Sequence, residues 1–209
     1  MKGIRRFFPF FVVIWYPVKK LRNSLQKTTD TNIIKPRKVE IIMLKKFSVE
    51  NFKGFRDKLV FDIGSPNNYS FNSNIIENGC VTKGIVYGIN SCGKSNLGLA
   101  IFDIITHLTE KEKLLKSYEL YLNMSGRKSF AEFAYTFSFD KHEVIYTYKK
   151  NDVNTLLEES LSIDDREVIY YDFVKREGFT RLDGSVTLNV AIKNESPISR
   201  VKFVNSNSI

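Results

Sequence analysis

Residues 88 to 95 read Gly88-Ile89-Asn90-Ser91-Cys92-Gly93-Lys94-Ser95, which is G-x-x-x-x-G-K-S, the Walker A phosphate-binding pattern. The chemistry that this spacing serves is the holding of closely spaced negative charges. Backbone N–H groups in such a loop point inward as an anion-binding nest. A helix that starts near Gly93 adds unpaired N–H groups and the positive end of its dipole. Gly88 and Gly93 let the chain turn where a Cβ would obstruct, and let backbone come close to phosphate. Lys94 is placed to reach the β- and γ-phosphates, and the Ser95 hydroxyl to ligate Mg²⁺. Residues 88–95, with Asn96 directly after them, are the expected nucleotide-binding set, and ATP with Mg²⁺ is the expected ligand. The bland alternative is a glycine turn beside a lysine.

The loop needs a strand before it and a helix after it. Residues 81–87 form a β-rich run expected to be a buried strand, and residues 96–105 carry a helical pattern. Leu97, Ile101, Ile104, Ile105 and Leu108 fall at i, i+4, i+7, i+8 and i+11, one buried helical face. Upstream, residues 44–50 read as a strand with Phe47 and Val49 on one face. Residues 51–55 are a turn and 59–63 a second strand, so 44–63 is expected to be a hairpin. A polar loop, rich in Asn and Ser, follows to Asn78. Downstream, 114–122 is expected to continue as a helix. The period then changes to two, with Phe133, Tyr135, Phe137 and Phe139 alternating with other residues. A turn at Asp140-Lys141 leads to 144–148, completing a hairpin with an aromatic face. Residues 151–154 turn again, 156–163 fit a strand or a short helix, and 168–174 fit a strand. Asp183-Gly184 between 179–182 and 186–192 is a hairpin signal. The Phe and Tyr stripes read as core and cross-strand packing rather than as base-stacking platforms.

The chain has 209 residues, enough for one domain with a sizeable core. Its formal charge of +9 is concentrated in residues 1–42, which hold 10 Lys/Arg against 2 acidic residues; the rest holds 22 against 21. The basic excess therefore gives no DNA-binding face to the nucleotide-binding body. Residues 7–18 are an uncharged run interrupted by Pro9 and Pro17, shorter than the ~20 residues of a membrane-spanning helix. Basic residues before an apolar run suggest a signal peptide, but no small-residue cleavage site follows. A membrane-surface anchor is one reading of this leader. The other is that translation starts at Met43, leaving 1–42 as upstream or disordered sequence and 43–209 as the domain. The two cysteines, Cys80 and Cys92, form no metal spacing and point to a reducing cytoplasm. Cys92 is either a thiol activated by the helix N-terminus or a small loop filler. Neither His107 nor His142 has a catalytic spacing.

A strand ending in Asn51-Phe52-Lys53-Gly54-Phe55, followed after some thirty residues by Gly88-x-Asn90-x-x-Gly93-Lys94-Ser95-Asn96, resembles the ABC-type ATPase heads. The likeness is greatest to the bacterial AAA-family ATPases related to the overcoming-lysogenization-defect nucleases and RecF. The structural-maintenance-of-chromosomes proteins are more distant. The resemblance implies an α/β, α+β-like P-loop NTPase lobe, with a mixed sheet and an antiparallel meander, over 43 to about 192. It implies ATP binding more firmly than hydrolysis, because the Ser-Gly signature, the Asp-Glu Walker B strand and the switch His are not recognisable before Ile209. The expectation is a truncated or split ATPase acting as a nucleotide switch. Its partners would be a second head, as a homodimer or as another ATPase half, and a nuclease, an effector or DNA (the last unsupported by the charge distribution), with phage defence or DNA transactions as the setting. Residues 168–172, Val-Ile-Tyr-Tyr-Asp, have the run-then-Asp form of Walker B, which makes Asp172 a second Mg²⁺ candidate. An ordinary strand aspartate is the alternative. Guanine-reading and GTPase-switch motifs are not found. A small-molecule P-loop kinase and a degenerate interaction module stay open.

Overall fold

The computed structural model describes residues 42–67, 71, 73–109, 118–139, 141–182, 185–188 and 199–202. The leader up to residue 41, residues 114–117 of the expected 114–122 helix and the Asp183-Gly184 turn lie outside them.

Aromatic alternation builds the core. β5 (Ala131–Phe139) buries Ala131, Phe133, Tyr135, Phe137 and Phe139 and turns its even-numbered residues the other way. β6 (His142–Lys150) returns antiparallel and buries Val144, Tyr146, Tyr148 and Lys150 on the same face. On the other side of β5 lies β1 (Ile42–Glu50), with Phe47 opposite Tyr135 and Val49 opposite Phe133. The rings interlock: Phe47 and Tyr135 have centroids 4.9 Å apart, and Phe133 stacks on Tyr148 at 4.9 Å.

The remaining strands extend this sheet by short connections. β2 (Leu59–Asp62) pairs with β1, as the expected hairpin. β7 (Leu156–Ile163), β8 (Arg166–Asp172), β9 (Glu177–Leu182) and β10 (Ser185–Leu188) continue the meander from β6. The order is β10-β9-β8-β7-β6-β5-β1-β2, and every pair is antiparallel. The ambiguous 156–163 segment is a strand because β6 and β8 flank it and pair with it along most of its length. The meander expectation is met. The parallel component of a mixed sheet is not seen among the described residues, and the domain is sheet-rich with one long described helix.

That helix, α1 (Lys94–Leu108), lies over the aromatic face. Ala100 and Ile104 are fully buried, and Leu97, Ile101, Ile105 and Leu108 pack beside them. Two expectations fail here. Of the expected 114–122 helix, Tyr118 lies in a 3-10 turn and 119–122 are not helical; Tyr121 is held by the carbonyl it offers to Lys53 N–H, and Leu122 bridges to Phe52. The strand expected over 81–87 is not formed. Only Cys80–Val81 (β4) is strand, paired with Ile76–Glu77 (β3). Beyond Thr82 the chain runs exposed to the loop, since no described strand lies alongside to take its N–H and C=O groups. No described helix is long and apolar enough to cross a membrane.

Candidate functional site

The 88–95 stretch folds as a loop that closes around one ammonium. Lys94 Nζ donates to Gly88 O at 2.8 Å and to Ile89 O at 2.7 Å, with Cys92 Sγ at 3.7 Å. Ser91 (φ 65°) and Gly93 (φ 96°) take left-handed conformations, which bend the backbone back upon itself and into the helix. Gly93 is the N-cap of α1, and its carbonyl accepts the first helical bond from Leu97 N–H at 2.8 Å. The first turn of α1 carries no acidic residue, so its positive end is not neutralised from within the helix. Gly88, Ile89, Asn90, Ser91, Cys92 and Ser95 are exposed, while Gly93, Lys94 and Asn96 are half-buried.

The residues that brace the loop were only partly visible in the sequence. The 51–55 turn is pinned by reciprocal Phe52–Phe55 backbone bonds of 3.0 and 2.8 Å and by Asn51 and Lys53 in left-handed conformations. Asn51 Nδ2 donates to Lys128 O and Phe130 O, tying the turn to the entry of β5. This turn then meets the loop. A Cβ on Gly93 would lie 3.4 Å from the Phe55 ring, and one on Gly54 would lie 3.0 Å from Asn96 Nδ2. A third contact sits inside the loop, where a Cβ on Gly88 would come within 2.8 Å of Cys92 Sγ. Cys92 thus fills the loop against Gly88. Beside the loop, residues 54–59 with Asn123 and Ser125 line an open hollow of about 470 Å³ carrying Arg56, Asp57 and Lys58.

Below the loop, α1 is locked to the sheet by a buried polar cluster. Asp103, fully buried, accepts from Tyr121 OH (3.0 Å), Tyr148 OH (3.0 Å) and the equally buried Lys150 Nζ (2.9 Å). Tyr135 OH donates to Ala100 O at 2.9 Å and meets Tyr148 OH at 3.1 Å. Burial, reinforced by the Asp103 charge, pushes the Tyr121, Tyr135 and Tyr148 phenols well above their ordinary range, so they stay neutral donors. The cluster fixes the azimuth of the helix whose first turn forms the loop.

The other expected residues fall elsewhere. Asp172 ends β8, in the meander and four strands from β1. Its Oδ1 accepts from Val174 N–H and Lys175 N–H, both at 2.9 Å, and Lys175 Nζ lies 3.3 Å from Oδ2. These bonds hold its carboxyl below the usual range. The carboxylate closes the 172–175 turn, which is the ordinary-aspartate role. His142 is exposed and pairs with Asp164 at the β6 and β7 ends; the His107 side chain lies outside the described residues. Cys80 is buried, and burial raises its thiol; Cys92 is exposed, and neither is in a disulfide.

Fit to a nucleotide can be judged from the loop itself. The lysine ammonium lies within the loop, held by the Gly88 and Ile89 carbonyls. The Ser95 hydroxyl stands in the first turn of α1, where a Mg²⁺ beside the phosphates would be held. No protein family, no curated protein and no solved structure matches this chain.

Proposed function

We propose that the chain binds ATP with Mg²⁺ at 88–96 and serves as the nucleotide-operated lobe of an ABC-type ATPase head. The observation that carries this reading is the loop wound around the Lys94 ammonium and running straight into an uncompensated helix N-terminus. Support comes from the 51–55 turn, which packs on Gly93 and Asn96 and so braces the loop. The chain's residues divide the work. Loop amides and α1 hold the phosphates, Lys94 neutralises them, Ser95 takes the metal, and Asp103 with Lys150 keeps the helix from shifting. Binding stands ahead of turnover in this reading because the Asp172 oxygens serve the 172–175 turn. Hydrolysis needs groups that the described residues do not supply.

The test is titration calorimetry of the full chain with MgATP against Lys94→Ala. Loss of one charge-assisted set of phosphate bonds should weaken uptake about 10- to 100-fold. Uptake by the variant equal to that of the parent, or no uptake by a folded parent at millimolar MgATP, sinks the reading.

A further inference from the structure

β2 is an end strand of the sheet, and among the described residues no strand lies on its outer side. Its inner side faces β1: Ile63 N–H donates to Lys45 O at 2.8 Å, and Phe61 and Leu59 lie opposite Phe47 and Val49. Antiparallel ladders alternate, so the main-chain groups of Lys58, Val60 and Asp62 point away from β1. The open stretch is short and bounded. Just past Asp62, Val81 N–H donates to Ile63 O, and just before Asp57, Asn51 N–H donates to Arg56 O. The side chains are as incompletely covered as the backbone. Leu59 and Phe61 are only half-buried on the core face, and Val60, on the other face, is 48% exposed between the exposed Lys58 and Asp62.

We infer that β2 pairs antiparallel with β2 of a second copy of this chain, about a two-fold axis at Val60, so that two eight-stranded sheets become one. In this register Lys58 meets Asp62 of the second copy, and Asp62 meets its Lys58, so opposite charges face each other twice. Leu59 meets Phe61 twice on the core face, and Val60 meets Val60 on the other. The bonded pairs are those whose main-chain groups already point outward. A lysine on an edge strand ordinarily keeps other strands away; here the aspartate four positions on supplies its mate in a second copy.

Other registers and other occupants suit the edge less. Centred on Leu59, pairing sets Phe61 against Asp57 and Val60 against Lys58. Centred on Phe61, it runs into Ile63, which β4 holds. Centred on Lys58 or on Asp62, it sets like charges together. A segment of the same chain lying beside β2 needs an acid and a base four positions apart to answer Lys58 and Asp62. The only acids of residues 1–41, Asp30 and Glu40, have Gln26, Ile34, Pro36 and Leu44 at those distances. Glu112 and Lys116 have the spacing, but only for a parallel strand and with Lys113 against Leu59. The remaining segments outside the described residues carry no such pair. The pairing uses no residue of 88–96 and needs no nucleotide, which sets it apart from the second head that the ATPase resemblance implies.

Sedimentation equilibrium of the full chain, raised to about 0.5 mM as a contact of this size requires, should show a reversible monomer–dimer equilibrium. MgATP and Lys94→Ala should leave it unchanged. Lys58→Asp sets two carboxylates opposite each other, and Asp62→Lys sets two ammoniums opposite each other. Each variant alone should dimerise about tenfold more weakly or worse. Mixed, the two should form a heterodimer of near-parental strength, because each supplies the charge that the other lacks. That rescue requires both variants to be folded and the strands to be in this register. Exchange of the Val60 amide should slow as protein concentration rises. A monomer at the highest concentration, a dimer indifferent to either variant, no heterodimer on mixing, or a dimer formed only with MgATP each overturn the inference. So does a Val60 amide equally protected at every concentration, which would mean that a segment of the same chain already covers the edge.

Discussion

The aromatic meander and the segment that feeds the 88–95 loop treat the same residue types in opposite ways. In β5 and β6, Tyr135, Tyr146 and Tyr148 are buried, and each hydroxyl finds a partner. Seven residues upstream of α1, Tyr87 stands 90% exposed among three exposed aliphatics, with no described ladder beside it. One region has closed its hydrogen-bond and packing account within itself. The other presents strand chemistry outward. The difference teaches that the local pattern decides whether a segment can be a strand, while neighbours decide whether it becomes one. It also separates the part that sets stability from the part that carries the 88–95 loop.

The largest effect should come from the cluster that joins the two regions. Asp103 and Lys150 are both fully buried, so removing one leaves an uncompensated buried charge. Asp103→Leu or Lys150→Met alone should cost about 3–5 kcal/mol, and the double variant should recover much of that. Urea unfolding of the four proteins measures the cycle. Single variants as stable as the parent would mean that the pair does not brace the helix and that the comparison has been drawn in the wrong place.

This pair also marks how far the sequence could be read. Alternation through Val144, Tyr146, Tyr148 and Lys150 puts Lys150 on the inward face, which is a legible sign of a buried charge in need of a partner. Asp103 gives no such sign, because it interrupts the apolar face of a helix where a solvated aspartate is equally in keeping. The β1–β2 hairpin, the β5–β6 hairpin and α1 were legible because their periods are strong and their neighbours adjacent in sequence. The 81–87 run had the right composition for a strand and failed for want of a neighbour, which no local pattern reports. At the site, the glycine and lysine spacing announced the loop. The contacts of Phe55 with Gly93 and Gly54 with Asn96 join residues about forty apart and could be read only from the fold. Asp172 was legible as a run-then-Asp; what it does was set by the turn that follows it.

A smaller effect should reach both regions together. Gly93 sits at φ 96° with the Phe55 ring in ordinary contact range of any Cβ. Gly93→Ala should cost about 1–2 kcal/mol for the left-handed backbone. It should also weaken MgATP uptake, because the loop and the 51–55 turn shift together. Calorimetry beside thermal melting reads both; a loss of stability with unchanged affinity would mean that the turn does not shape the loop.

Within the meander, Asp172→Ala tests a turn far from the loop. The Asp172 carboxyl is pulled below its ordinary value by two backbone donors and Lys175. Its stabilisation is therefore full above the unfolded value near pH 4 and is lost as pH falls through the lower folded value. The variant should be about 1 kcal/mol less stable at neutral pH, converging on the parent at strongly acid pH, with nucleotide uptake unchanged. A loss of Mg²⁺-dependent uptake would instead restore the residue to the metal site.

The smallest effect should fall where the exposed apolar residues suggest the greatest. Tyr87→Ser removes a large ring that is 90% exposed and makes no hydrogen bond to the described residues. In the isolated chain its unfolding free energy should stay within about 0.5 kcal/mol of the parent. The same change at Tyr148, whose ring stacks on Phe133 and whose hydroxyl holds Asp103, should cost about 3–5 kcal/mol. Two tyrosines 61 positions apart would then differ severalfold in what their side chains contribute, and the ratio measures how completely the segment around Tyr87 is left out of the isolated fold. If Tyr87→Ser destabilises the isolated chain as strongly as the Tyr148 change, the segment is already packed against something within this chain, and the contrast between the two regions disappears.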